Sequence, residues 1–149
     1  MARLFVALLG IVLLSPGSVP AADSSPAEAN KKIVTAFYER LINRKDPSAI
    51  DEFVGPRYIQ HNPNVADGPE GLLAFAREIN ARYPNMHLEL KRAIAEGDLV
   101  SVHVHGKQSP DDRGIVSIDI FRLENGKLAE HWDVSQEVPE TSANDNGMF

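Results

Sequence analysis

Between residues 26 and 82 the apolar side chains recur at intervals of three and four, which predicts amphipathic helices. Ser25 followed by Pro26 predicts the cap and first turn of a helix that ends before Asp46. A short second helix is predicted over 47–53 and a third over 69–82, capped by Asp67. The stripe of the first helix consists of Ile33, Val34, Phe37, Tyr38, Leu41 and Ile42.

Beyond residue 84 the pattern changes to alternation, which is typical of strands with one buried face. Four strands are predicted, over 87–95, 99–105, 115–123 and 127–134. Asn125-Gly126 joins the last two and favours a two-residue hairpin turn. Helices followed by an antiparallel meander predict an α+β domain, in which a curved sheet closes over three helices around a central pocket.

The first 21 residues have the layout of a secretory signal peptide. Arg3 precedes an uncharged apolar run over 4–14, and Val19 and Ala21 suit cleavage after Ala21. The run is too short to span a bilayer. We therefore expect export to the periplasm or beyond, with a linker at 22–27, a domain at 28–136 and a flexible tail at 137–149.

Composition narrows the function classes. The chain has 149 residues, 43% of them hydrophobic and 24% charged, which fits one soluble domain without stable membrane association. A net charge of −6 without a basic cluster argues against nucleic acid as a partner. The absence of cysteine excludes disulfides and thiolate chemistry, and no phosphate-binding or dinucleotide-binding motif occurs.

The hairpin turn predicts which residues of the last two strands share a face. With a two-residue loop and no irregularity, Asp119 opposes Trp132 and shares its face with Phe121. His131 and Asp133 then point to the opposite face. A bulge would reverse this assignment for part of the strand.

Asp119 lies between Ile118 and Ile120 in the middle of a strand, where a carboxylate is unusual. Two interpretations are open at this point. The side chain is either hydrogen-bonded on a solvent-facing surface, or it lies in an apolar cavity beside Trp132 and Phe121. In a cavity it would suit general acid and base chemistry.

His103 and His105 stand two residues apart on a strand and therefore point the same way. Such a pair can bind a metal, with His61 or His131 as a further ligand. The alternative is that they are ordinary polar residues of a strand. Because no carboxylate completes a known motif, we predict no metal site.

Three segments carry a resemblance to a known family: Tyr58–Pro63, Ser117–Lys127 and Glu130–Asp133. With the order of helices and strands, they resemble the SnoaL-like polyketide cyclases of the nuclear transport factor 2-like and ketosteroid isomerase superfamily. The resemblance covers residues 27–136. It implies a cone-shaped α+β barrel with a deep pocket, no cofactor and a homodimer.

The resemblance also implies roles for individual residues. In the cyclases an Asp on the penultimate strand is the acid and base of an aldol ring closure, and Asp119 matches it. His105 matches a histidine on the preceding strand that lies near this Asp. Tyr58 and His61 match a segment that lines the pocket.

We therefore expect an exported enzyme that acts on a hydrophobic carbonyl compound by aldol-type cyclisation, isomerisation or hydration. Asp119 is the expected general acid and base, and His105 orients it or donates to the enolate. The expected substrate-binding residues are Tyr58, His61, His103, Trp132 and Phe121. The alternative is a non-catalytic domain that holds a small ligand in the same cavity.

The other face of the predicted sheet is expected to form the homodimer interface, with His131 and Asp133 within it. An apolar face of this kind is normally covered. Its apolar members are expected to be Val100, Val102, Val104, Val116, Ile118 and Ile120.

Overall fold

The helices form where the sequence predicts them, in a computed structural model that describes residues 25–149. They are α1 over Pro26–Tyr38, continued by a π-helical turn over Glu39–Asn43, α2 over Ala49–Phe53 and α3 over Gly68–Arg82. Ser25 caps α1, because its hydroxyl oxygen accepts a hydrogen bond from the Glu28 N–H at 3.3 Å. The predicted signal peptide lies outside the described residues.

Five strands form one mixed sheet in the order β1-β5-β4-β3-β2. β1 is parallel to β5, and the other neighbouring pairs are antiparallel. This arrangement confirms the predicted α+β class with a mainly antiparallel sheet and three helices. The strands are β1 over Val54–Gln60, β2 over His87–Glu96, β3 over Leu99–Lys107, β4 over Ile115–Glu124 and β5 over Lys127–Glu137.

Asp67 ties the end of β1 to the start of α3. It stands at the predicted N-cap position, but its side chain makes no cap hydrogen bond within the helix. Its carboxylate accepts instead from the Gln60 N–H, at 2.8 Å. This contact places the last residues of β1 beside the helix that covers them.

The inner face of β3 carries three valines, Val100, Val102 and Val104, which are buried under the helices. Val102 pairs with Asp119, so the valines lie on the same face of the sheet as this carboxylate. The prediction that they belong to the opposite face was wrong. Burying three branched apolar side chains against the helices is strongly favourable, which sends the alternate residues of β3 outward.

A bulge in β5 decides the faces of the last hairpin. Asn125 and Gly126 have positive φ angles of 51° and 74°, as a primed two-residue turn requires, and Leu123 pairs with Leu128 as predicted. The next pair joins Arg122 to Glu130, which leaves Ala129 without a partner on β4. From this point every side chain of β5 points to the face opposite the predicted one.

No helix within residues 25–149 has both the length and the apolar character needed to cross a membrane.

Candidate active site

A cavity of about 230 Å³ lies between the helices and the inner face of the sheet. Its walls are largely apolar, with side chains from α1, the π-helical turn, α3 and β2. One region is polar and is formed mainly by residues of β1, β4 and β5. The polar lining residues are Tyr38, Tyr58, Gln60, Asn62, Ser117, Asp119, His131, Asp133 and Ser135.

The bulge at Ala129 brings His131 and Asp133 into this cavity. Phe121 pairs with His131 and Asp119 pairs with Asp133, so all four side chains share the inner face. The prediction that Asp119 and His131 lie on opposite faces was therefore wrong. The physical reason is the extra residue in β5, which reverses the alternation beyond it.

Asp119 is the buried carboxylate of the cavity, with 9% of its surface exposed. Its Oδ1 lies 3.1 Å from Nε2 of His131. The imidazole in turn stacks on Phe121, with ring centres 4.6 Å apart. The solvent-facing interpretation of Asp119 is thereby excluded, and the carboxylate has an ionisable partner at hydrogen-bond distance.

Gln60 determines which nitrogen of His131 carries a proton. The backbone N–H of Asn62 can only donate, and it donates to Oε1 of Gln60 at 2.8 Å. This assigns the amide oxygen, which lies 3.0 Å from Nδ1 of His131 and must accept from it. Nδ1 therefore carries the donor proton, and Nε2 lies 3.1 Å from Asp119 Oδ1, where the two atoms can share one further proton.

Asp133 has a different environment from Asp119. Its two carboxylate oxygens accept from Nδ2 of Asn62, at 2.8 and 2.9 Å. Asn62 is itself oriented, because its Oδ1 accepts from the backbone N–H of Asn64 at 2.9 Å. The amide group thus points its donor at Asp133.

Two tyrosine hydroxyls complete the polar region. Burial raises the pKa of Tyr38 well above its ordinary value, and the charge of Asp119 and a hydrogen bond to it raise it further. Burial also raises the pKa of Tyr58, with contributions from the charges of Asp119 and Asp133. Both hydroxyls are therefore protonated donors at neutral pH. Because Gln60 Nε2 lies 3.4 Å from the Tyr58 oxygen and donates to it, the Tyr58 proton is available for another acceptor.

His105 does not lie beside Asp119, contrary to expectation. It pairs with Val116 on the outer face of the sheet, where its Nε2 donates to the carbonyl oxygen of Arg113 at 2.8 Å. Its ring stacks on Phe149, with centres 4.2 Å apart. The inner positions of β3 are taken by the valines, which explains why the match to the family histidine fails in space.

His103 also lies on the outer face, not in the cavity. It stacks on Phe149 at 5.6 Å, and its Nδ1 accepts from Nη1 of Arg92 at 2.7 Å. Its pKa is lowered, first by partial burial and then by the charges of Arg92 and Lys91. The residue is therefore a polar strand histidine in a cationic surrounding.

His61 and Trp132 contact each other outside the cavity. Their rings are stacked, with centres 4.8 Å apart and planes at 6°. Nε2 of His61 lies 2.8 Å from Glu130, and Glu130 also accepts from Arg122 at 2.8 Å. The predicted roles of His61 and Trp132 in the pocket lining are not supported, and the bulge explains why Trp132 faces outward.

Of the seven predicted site residues, the structure thus brings three into the cavity, namely Asp119, Tyr58 and Phe121. Sequence reasoning missed His131, Asp133, Gln60, Asn62 and Tyr38. A signal was present in Leu128 and Ala129, which are consecutive apolar residues in an otherwise alternating strand. Both are buried, as a bulge allows.

No group of three or more His, Asp or Glu side chains within residues 25–149 is arranged to hold a metal ion. The combination of His61, His103 and His105 considered from the sequence is not such a group. The ionisable groups of the cavity are instead bonded to one another and to neutral amides.

Comparison with known proteins agrees with this geometry. Three helices on a five-stranded mixed sheet with a central cavity define the nuclear transport factor 2-like class of folds. Residues 34–131 match the SnoaL-like domain, and the chain belongs to that family. None of the curated proteins matches this sequence.

Solved structures share the fold. A candidate polyketide cyclase from Bacillus cereus has 23% identity and a TM-score of 0.66, over 78% of this chain and 80% of that one. TsrD from Streptomyces laurentii has 26% identity and a TM-score of 0.62, over 77% and 91%. IdmH of Streptomyces antibioticus, also a candidate polyketide cyclase, has 21% identity and a TM-score of 0.58, over 71% and 91%. Together these structures show that the chain shares their fold.

Proposed function

We propose that the protein is an enzyme that moves a proton at a carbon next to the carbonyl group of a hydrophobic small molecule. Asp119 is the general acid and base. The observation that carries this proposal is the buried Asp119 carboxylate, hydrogen-bonded to His131 in an otherwise largely apolar cavity. A carboxylate in such a position reacts with bound substrate rather than with bulk water.

The proton shared by Asp119 and His131 explains how one carboxylate can both take and give a proton. When the shared proton lies on Nε2, Asp119 is ionised and can remove a proton from the substrate carbon. The electron pair of the broken C–H bond moves onto the carbonyl oxygen and forms an enolate. His131 thus has the role that was expected for His105.

The Tyr58 hydroxyl is the proposed donor to the enolate oxygen. It is buried in the cavity wall, and its own oxygen already accepts from Gln60, which directs its proton elsewhere. A donor placed at the developing negative charge stabilises the transition state more than the ground state. Tyr38 is a second buried hydroxyl of this region, and its pKa is raised by burial and by Asp119, which keeps it protonated.

The enolate can then follow two of the routes expected from the sequence. Attack on a second carbonyl carbon of the same molecule gives an aldol cyclisation, and return of the proton at another carbon gives an isomerisation. Hydration reaches an enolate by a different route, in which water adds to the double bond of a conjugated carbonyl compound and loses a proton to Asp119, which returns it to the carbon next to the carbonyl group. The names of the structural relatives favour cyclisation of a carbonyl compound.

Solvent deuterium exchange tests the proposal without knowledge of the full reaction. The protein is incubated in D₂O with cyclic ketones, aromatic ketones and β-keto esters, and the mass of each compound is followed. We expect exchange that Asp119→Asn lowers by about 10²-fold or more. Asp111→Asn, the same change at an exposed residue, is the matched control and should leave the rate unchanged. Equal rates in the two variants would refute a role for Asp119 as the base.

A ligand-binding domain without catalysis remains the second candidate, because most of the cavity wall is apolar contact surface. In that case Asp119 would serve only as a hydrogen-bond acceptor. Protein purified from its source would then release an unchanged apolar compound under denaturing mass spectrometry. It would also fail to promote exchange on that compound.

The proposed assembly is a homodimer through the outer face of the sheet, revised in its residues. This face exposes Ile94, Ile118, Ile120 and Val134, which form an apolar surface that a second copy would cover. His131 and Asp133 have no part in it. Light scattering should give twice the monomer mass, and Ile118→Glu should give the monomer.

The proposed site of action is outside the cytoplasm. Cleavage after Ala21 would leave the described domain intact, because the first helix begins at Pro26. Mass spectrometry of protein from the periplasmic fraction should find Ala22 as the first residue.

A further inference from the structure

The charged groups that line the cavity are all acidic or weakly basic. They are Asp119, Asp133 and the imidazole of His131, and no Lys or Arg lines the cavity within residues 25–149. A ligand that enters the polar region therefore meets two carboxylates and no permanent cation. Asp119 and Asp133 are also direct partners across β4 and β5, so their effects act on the same space.

Only one of these carboxylates has a cationic partner within reach. Asp119 can share the proton of His131, which removes or balances its charge. Asp133 has only the neutral amide of Asn62, and among the described residues no Lys, Arg or His lies within 4.0 Å of it. Its negative charge is therefore not compensated by the protein.

Asp133 also retains unused acceptor capacity. A carboxylate offers about four lone-pair positions. The two contacts of Asp133 both come from the single Nδ2 of Asn62, and that amide is held in place through its own oxygen. The carboxylate lines the cavity, so its remaining acceptor positions are available to a ligand.

The pKa shifts of the two tyrosines indicate the same negative electrostatic potential in the polar region. The pKa values of Tyr38 and Tyr58 are raised first by burial, and in both residues the charges of Asp119 and Asp133 add to the effect. A negative charge on a tyrosine is disfavoured there for the same reason that an anionic ligand would be. The two residues lie on different elements, α1 and β1, so the field extends across the polar region.

We infer that the cavity accepts uncharged or cationic ligands and rejects anionic ones, and that Asp133 is the residue that sets this selection. The inference rests on the cavity as the ligand site of the proposed function, but it does not require Asp119 to act as a base. It narrows the substrate class to ketones, esters and amine-bearing carbonyl compounds. Free carboxylic acids and phosphorylated compounds are excluded.

Three two-ring aromatic compounds that differ only in their polar end provide the test. Methyl 2-naphthoate is neutral, 2-naphthylmethylamine is cationic at pH 7 and 2-naphthoate is anionic. Binding to the folded protein is measured by titration calorimetry. We expect the ester and the amine to bind at least about tenfold more tightly than the acid, which corresponds to about 1.4 kcal/mol.

Asp133→Asn should reduce the ratio of the ester affinity to the acid affinity by about tenfold, and it should weaken binding of the amine. Asp111→Asn should change neither the ratio nor the affinity for the amine. Equal binding of all three probes by the unmodified protein would overturn the inference, and this measurement needs no variant that might fold poorly. Failure of both the ester and the amine to bind would overturn it as well. So would an unchanged ratio in folded Asp133→Asn.

The two proposals fail separately. If the three probes bind equally well while deuterium exchange still depends on Asp119, the role of Asp133 is refuted and the proposed chemistry stands. Selective binding without any exchange would refute the chemistry and leave the selection of ligands by charge in place.

Discussion

The two faces of the sheet hold histidines under opposite conditions. On the inner face, His131 lies between a buried carboxylate and an oriented amide, and both ring nitrogens have assigned partners. On the outer face, His103 and His105 stack on Phe149, and His103 also lies near Arg92 and Lys91. The same residue type is thus part of a proton-sharing pair on one side and a surface contact on the other. The neighbours of an imidazole, rather than its presence in a motif, decide what it can do.

The largest difference between the faces should appear in activity. Replacing His131 by Gln removes the shared proton, and we expect the rate of deuterium exchange to fall by roughly 10²- to 10⁴-fold. His105→Gln, which changes the histidine of the family motif, should alter the rate by less than about twofold because its ring does not reach the cavity. Exchange rates for both variants on one ketone provide the comparison. A large loss in His105→Gln alone would show that the outer face holds the site.

Substitutions at buried and exposed positions of β5 should also differ in how much they lower the free energy of unfolding, and this difference is the next largest expected effect. Leu128 is fully buried, and Val134 on the same strand is 71% exposed. Leu128→Ala should lower the free energy of unfolding by about 2–5 kcal/mol. Val134→Ala should change it by less than about 0.5 kcal/mol in the monomer. Urea denaturation at low protein concentration measures both, and similar losses would contradict the assignment of the faces.

Burial of Tyr58 on the inner face should also make the folded protein less stable at alkaline pH. The pKa of Tyr58 is higher in the folded protein than in the unfolded chain, because burial and nearby carboxylates disfavour the phenolate. Its contribution to stability is complete below pH about 10 and is lost as the pH rises above that value. We expect the urea midpoint to fall more steeply above pH 10 in the unmodified protein than in Tyr58→Phe. Tyr83→Phe, at the end of α3, is the control and should keep the steeper fall.

The smallest expected effect is a change in the pKa of His103 on the outer face of the sheet. The pKa of His103 is below its ordinary value, chiefly through burial and then through Arg92 and Lys91, so its protonation opposes folding. This contribution to stability is present at neutral pH and is lost as the pH falls through the lowered pKa. Arg92→Gln should raise the pKa of His103 by a fraction of a unit, as measured from its ring protons by NMR. No change would show that Arg92 does not contact this histidine in solution.

The fold could be predicted from the sequence because its signals are local and redundant. Helical stripes, the Ser25 cap and the alternation of β3 each indicate the same architecture. Asp119 could be identified for a related reason, since a carboxylate inside an apolar strand is conspicuous in any register. Phe121 followed from its position on β4, two residues from Asp119 and on the same face, and Tyr58 followed from the family resemblance.

The partners of Asp119 could not be predicted in the same way. Their identity depends on one unpaired residue, Ala129. Its side chain is chemically inert, but the bulge it forms reverses the face of every later residue of β5. His105 failed for a different reason. The motif places it at the right distance along the chain, but burial of Val104 next to it forces it outward. Which face of the sheet a residue takes depends on which side chains of the strand gain most from burial. The spacing between two residues along the chain does not determine this.

The bulge at Ala129 has a consequence for how this site could change over generations. A change that removed the bulge at constant chain length would pair Ala129 with Arg122, and it would exchange His131 and Asp133 for Glu130 and Trp132 at the cavity wall. No residue that does chemistry would have been mutated, and the hairpin turn would be untouched. A gene of this kind can therefore acquire a different set of reactive groups in one step, through the register of a strand and without a change in the reactive residues themselves.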